Sequence, residues 1–161
     1  MEISLLSSLG ICFSILGAVI LRIEMMYRNA CREIGRQIVS QEYLSVNPNG
    51  HQDALTNPKR NKFFIIGAVL IITSPFVPMA GNESANYWML LVSFFSLIFT
   101  GVILSNKLST QHYLPVIYAD LVFRAKIFER QGDVVRAKAA EDVSNLMLDE
   151  YEYLQMPTPE K

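Results

Sequence analysis

Two long apolar runs, Phe63–Met79 and Tyr87–Leu104, stand out along the chain. Between Phe63 and Asn106 the only formal charge is Glu83, near the middle. A helix made from either run is greasy on every face, which suits a bilayer and not a water-soluble core. A third run, Ile3–Leu21, has nineteen residues without a charge. At about 1.5 Å per residue it reaches roughly 28 Å, close to the hydrocarbon thickness. The pattern predicts an all-α membrane protein with spans at about 3–21, 63–80 and 87–105.

Beyond Arg22 the helical period continues. Ile23, Tyr27, Ala30, Ile34 and Ile38 recur at three- and four-residue steps, with Arg28, Arg32 and Arg36 on the opposite side. The first helix is expected to run on as a stalk to about Tyr43, where Asn47-Pro48-Asn49-Gly50 breaks it. Leu44–Pro58 reads as a polar, mobile loop. Pro75 and Pro78 fall in the last turns of the second span and predict a helix end there.

After Pro115 a second helical pattern runs through Val116, Leu121, Val122 and Phe128. Gln131-Gly132-Asp133 then reads as a stop and a start: Gly at the C′ position, Asp at the N-cap. A last helix follows from Val134 to about Leu154, and Pro157 and Pro159 end it. The expected organisation is a membrane domain at 1–106, with stalk and loop at 22–62, and a helical-hairpin tail at 107–161.

Charge sets the expected orientation. Residues 22–62 hold seven Lys and Arg, the turn at 80–86 holds none, and the other seven follow from Lys107. Lys and Arg collect on the cytoplasmic side of membrane proteins. The N-terminus is therefore expected outside, with the stalk, loop and tail in the cytoplasm, as in a bacterial inner membrane. Met1–Glu2 carries no positive charge and no small-residue cleavage site closes the first run, so a retained anchor is expected. Arg22, Lys59, Arg60, Lys62 and Lys107 are the boundary residues. They are read first as topology anchors and second as contacts for anionic lipid heads.

Tyr118–Leu148 resembles a single tetratricopeptide-repeat unit. Leu121, Ala125, Phe128, Gly132-Asp133 and Ala137 fall at that family's spacing, while Glu141 and Ser144 depart from it. The resemblance covers about one fifth of the chain. It implies a partner-binding hairpin and names no ligand. A lone unit cannot bury its own apolar face, so the tail should dock on its stalk, on another copy or on a partner. The residues expected to matter there are Phe128, Gly132, Asp133, Ala137, Val143 and Met147.

The net charge of −1 gives no sign of nucleic-acid binding. His51 and His112 are isolated, and no Gly-rich phosphate loop or nucleophile elbow is present. No catalytic, cofactor or metal residues are assigned, and the protein is expected not to be an enzyme. Cys12 and Cys31 are not expected to pair. No ionisable residue lies within the three runs, which argues against ion-coupled transport. What the runs do carry is small residues for helix packing: Gly10, Ser14 and Ala18 in the first, Gly67 in the second, Ser96 and Thr100 in the third. The expected function is a membrane scaffold, accessory subunit or regulator that binds a protein partner or itself. Immunity against a pore-forming toxin and an oligomeric channel are the alternatives.

Overall fold

The computed structural model describes residues 4–39, 55, 57, 59–108 and 110–151. Among the described residues five α-helices follow in order: α1 (Leu5–Val39), α2 (Asn61–Thr73), α3 (Trp88–Lys107), α4 (Thr110–Arg130) and α5 (Val134–Glu150). A 3₁₀ segment, Ser74–Gly81, continues α2. Among the described residues there is no strand. Leu5–Arg36, Asn61–Gly81 and Trp88–Asn106 are each long and apolar enough to cross a membrane. The 35 residues of α1 span about 52 Å, well beyond the roughly 30 Å of a hydrocarbon core. The break expected at Asn47–Gly50 lies outside the described residues; α5, expected to run to about Leu154, ends at Glu150, with Tyr151 out of helical geometry.

The chain groups into two compact units, Met1–Met26 with Pro58–Leu108, and Tyr27–Asn57 with Ser109–Lys161. This differs from the 1–106 and 107–161 division read from the sequence. The stalk residues group with the tail because their apolar side chains are the ones the tail helices bury. Tyr27, Ala30, Cys31 and Ile34 are all buried, and the ring of Tyr27 meets that of Tyr113 edge-on at 5.8 Å.

In the first unit, α2 ends where proline first removes a backbone donor. Pro75 and Pro78 sit in the 3₁₀ segment, both buried. Asn82 then turns the chain with φ of 60°. The amides of Asn82, Glu83 and Asn86 return to the carbonyls of Met79, Pro78 and Pro75. The end of the span is thereby closed by its own turn, which satisfies carbonyls that a helix end otherwise leaves open. At the other extremity of the turn, Glu83 Oε2 accepts from Ser4 Oγ at 3.1 Å and from Ser7 Oγ at 3.3 Å. Ser4 also caps α1 by accepting from the amide of Ser7. A carboxylate at a helix N-terminus is favoured by the helix dipole.

In the second unit, α4 and α5 form an antiparallel-type hairpin around Leu121, Ala140, Val143 and Met147, each fully buried. The turn is built by Gly132, with φ of 77°. The Asp133 amide bonds the Phe128 carbonyl at 2.9 Å, and the Asp133 carboxylate accepts from the Arg136 amide at 3.2 Å. Leu55, from the segment read as polar loop, is buried. A Cβ on Gly35 would lie 3.5 Å from its Cδ1. Asn57 donates to both oxygens of Asp120 at 3.1 and 3.0 Å, and Asp120 also pairs with Arg124 at 3.1 Å. One apolar and one amide side chain thus fasten the returning segment to α1 and α4.

The turn makes a graded expectation. A Cβ at Gly132 meets nothing within 4 Å, so substitutions there report backbone strain alone. Gly132→Val is expected to cost about 1–2 kcal/mol, and Gly132→Asn less, because Asn tolerates the left-handed region. Asp133→Ala is expected to cost about 1 kcal/mol by removing the cap. Thermal unfolding of the three variants in detergent, ordered Val below Asn, checks the assignment; equal losses for Val and Asn would contradict it.

Candidate functional site

The chemistry of the first unit is concentrated where its helices meet. Ser14, fully buried on α1, places its hydroxyl 2.9 Å from Ser74 Oγ and 2.9 Å from the Met89 carbonyl. Ser74 donates onward to the Ile71 carbonyl at 2.8 Å. Ser93 donates to the same Met89 carbonyl at 2.8 Å. One small polar node therefore joins α1, the end of α2 and the start of α3. Inside hydrocarbon such hydroxyls find no water, so their partners must come from the protein.

Beside the node the backbones approach closely. A Cβ on Gly10 would fall 2.4 Å from Met89 Sδ and 2.9 Å from the Ser74 carbonyl oxygen. A Cβ on Gly17 would fall 2.8 Å from the carbonyl oxygen of Gly67, and one on Gly67 would fall 3.1 Å from that of Gly17. These two glycines let α1 and α2 touch main chain to main chain. Ala18 is buried in the same region. The other two residues expected to pack lie differently. Thr100 Oγ donates to the carbonyl of Ser96 within its own helix. Ser96 lines an outward groove on α3.

Charge enters at the boundary of the spans. Glu24 is almost fully buried, and Arg60 grips it with two nitrogens, at 2.7 and 3.2 Å. This bidentate pair ties α1 to the start of α2. Arg22 faces α3 instead: a Cβ on Gly101 would lie 3.0 Å from the Arg22 guanidinium carbon and one terminal nitrogen. Gly101 is six residues inside the C-terminal end of α3, about 9 Å along the helix. No charge lies within the three runs, but the Arg22 side chain, just past the first of them, is set against Gly101 of α3. The reason is geometric. Helical side chains lean toward the N-terminus, so Arg22 reaches back over residues that precede it. Glu24, flanked by Ile23 and Met25, was the overlooked sequence signal. Lys59 and Lys62 are exposed, and Lys107 closes α3.

The tail residues sit on the hairpin seam or near its turn. Val143 and Met147 are fully buried; Phe128 and Ala137 are half-buried, and the Arg136 guanidinium lies 5.9 Å from the Phe128 ring centre. Other apolar side chains remain open: Val116 and Phe123 on α4 are 50% and 61% exposed, Val134 and Val135 on α5 72% and 81%. Cys12 and Cys31 are not joined in a disulfide. His112 is exposed, and His51 lies outside the described residues. Among the described residues no group of three or more His, Cys, Asp or Glu is placed to hold a metal ion.

The fold and its interfaces define an all-helical protein with three helices able to span a membrane. Compared with protein families, curated proteins and solved structures, the chain matches none.

Two outcomes follow from these interfaces. Gly17→Ala and Gly67→Ala must each push a backbone oxygen away, and each is expected to cost about 1–3 kcal/mol by overpacking; Ala18→Gly, which adds no atom, should not reproduce the separation of the helices. Crosslinking between cysteines introduced on α1 and α2 would report the loosened crossing, and unchanged crosslinking in both variants would contradict it. Glu24→Ala leaves the Arg60 guanidinium without its buried partner and is expected to cost about 3 kcal/mol. The exchange Glu24→Arg with Arg60→Glu should recover part of that loss. A double-mutant cycle on thermal stability measures it, and no coupling between the two sites would refute the pair.

Proposed function

We propose that the protein is a non-enzymatic multi-pass membrane scaffold, accessory subunit or regulator that binds a protein partner through its extramembrane helices. One observation carries this reading. The hairpin unit buries its main apolar seam within itself, yet leaves Val116, Phe123, Val134 and Val135 largely open. A helix of a water-facing unit has no lipid to cover such side chains, and exposed apolar groups rimmed by polar ones mark association surfaces. The resemblance of Tyr118–Leu148 to a tetratricopeptide-repeat unit supports the same use, since those hairpins work by presenting helix faces to other chains.

The orientation proposed with it is N-terminus outside and tail in the cytoplasm, in a bacterial inner membrane. Its support is the placement of seven Lys and Arg in residues 22–62 against none at 80–86.

The test uses the full chain in native membranes, with crosslinking before solubilisation and affinity purification. Phe123→Asp and Val135→Asp change open side chains and should leave membrane abundance unchanged. The expected outcome is loss of a crosslinked partner, or of a second tagged copy, by about tenfold, as for removal of an anchoring side chain. Full association in both variants, and again after deletion beyond Lys107, would move the function into the spans.

A further inference from the structure

We propose that Arg22 is an intramembrane docking point for a different membrane protein: its guanidinium, resting on Gly101, pairs with a carboxylate carried on a partner's spanning helix. The inference rests on the reading of this chain as a subunit that binds a protein partner, and adds a contact in the spans to the one on the tail.

Arg22 is a charge without a counter-charge. Its Nε is buried and has no hydrogen-bond acceptor. Among the described residues it forms no ion pair. The residue is half-buried, so part of the side chain stays reachable from outside the unit. Gly101 makes its seat: a Cβ there would come within 3.0–3.1 Å of the guanidinium carbon and two of its nitrogens. Depth follows from α3. Its 20 residues rise about 30 Å, the thickness of a hydrocarbon core. Trp88 and Lys107 stand at its two ends, an aromatic ring and a cation of the kinds that favour the interfaces. Gly101 lies about 9 Å inside the Lys107 end. The Arg22 side chain does not turn out toward the headgroups; it is laid back on α3. An ionisable group at such depth is costly unless it is paired.

The missing partner is an acid, and the first unit does not hold it. Among its described residues the only carboxylates are Glu24 and Glu83. Glu24 is bonded by two nitrogens of Arg60. Glu83 lies at the amino end of α1, bonded to Ser4 and Ser7. A second copy of the unit therefore offers no free carboxylate at the level of Arg22. Lipid phosphates sit above that level, outside the hydrocarbon. A carboxylate on a neighbouring spanning helix can stand at it, and a planar guanidinium takes a carboxylate with two parallel hydrogen bonds. The partner is accordingly a different membrane protein with an Asp or Glu inside a span, toward the end that meets the Lys107 side. That acid is as costly alone as Arg22 is, so each chain is stabilised by covering the other.

The experiment places the full-length protein, donor-labelled, in phosphatidylcholine vesicles. It adds an acceptor-labelled synthetic peptide, a leucine-alanine span with one Glu at the depth of Gly101; the same peptide with Gln is the reference. Energy transfer is expected to show the Glu peptide bound about tenfold more tightly than the Gln peptide, the scale of a charge-assisted pair. Arg22→Gln should abolish the difference. Arg22→Lys should keep part of it, because it keeps the charge and loses the fork. Gly101→Leu keeps every charge but fills the seat, and should reduce the difference. Lys62→Gln, on an exposed boundary lysine, should leave it intact. The proposal is overturned by equal binding of the two peptides, by an unchanged preference in Arg22→Gln, or by an equal loss in Lys62→Gln, which would indicate only a diffuse basic surface. It is also overturned if a few phosphatidylglycerol molecules per protein erase the preference, which makes a lipid phosphate the occupant, or if two labelled copies associate through Arg22 without the peptide. The probe has no soluble part, so its failure leaves the tail's partner untouched, and loss of that partner in the tail variants leaves the Glu preference in place.

Discussion

Helices in hydrocarbon have no hydrophobic reason to associate, since lipid tails are as apolar as leucine. Everything in the first unit follows from that constraint. Attraction has to come from close van der Waals approach and from polar groups with nowhere else to bond. The Gly17–Gly67 crossing supplies the first. The Ser14, Ser74 and Met89 node supplies the second, and it reaches all three span-forming helices with three small groups. Once those few positions are fixed, the outward faces are free to carry large side chains such as Phe63, Ile72, Phe94 and Phe99, all of them exposed. In a soluble protein that distribution would be inside out.

The second unit obeys the opposite rule. Its buried set includes many large apolar residues, among them Ile34, Leu114, Ile117, Leu121 and Met147. Each is worth roughly 1.5–3 kcal/mol when removed from water. The change of rule falls within α1. Up to Ala18 its buried positions are small; from Tyr27 they include the large side chains of Tyr27 and Ile34. Between the two lie Arg22 and Glu24, one set on a glycine of α3 and the other clasped by Arg60. Charge is placed where neither packing rule holds alone.

The spans, the hairpin turn and the long first helix were legible because they depend on composition and on local chemistry. Runs without charge, a glycine needing positive φ and an aspartate able to cap are all visible in a one-dimensional string. Gly10, Ser14, Ala18 and Gly67 were legible for the same reason, being small residues in otherwise bulky runs. Ser96 and Thr100 share that signature but face other surroundings, because spacing along one helix does not say which side its neighbours occupy. Gly101 gave no such signal alone: its significance comes from a guanidinium seventy-nine positions earlier. Leu55 was missed because a single apolar residue in a polar segment has no period. The burial of Glu24 was missed for a related reason. A charge just past an apolar run reads as solvated until the direction of its side chain and the arrival of Arg60 are known.

The charged fastenings of α1 described within the first unit are provided by residues made after it. The carboxylate over its amino end is Glu83, and the guanidinium that neutralises Glu24 is Arg60. Chains are synthesised from the N-terminus at about 5–20 residues per second. For seconds, then, α1 exists with an unpaired acid near its middle and no anion over its amino end. Its final seat is defined only when α2, the turn and α3 have followed. The first helix to be made thus waits for the later ones before its charges are matched.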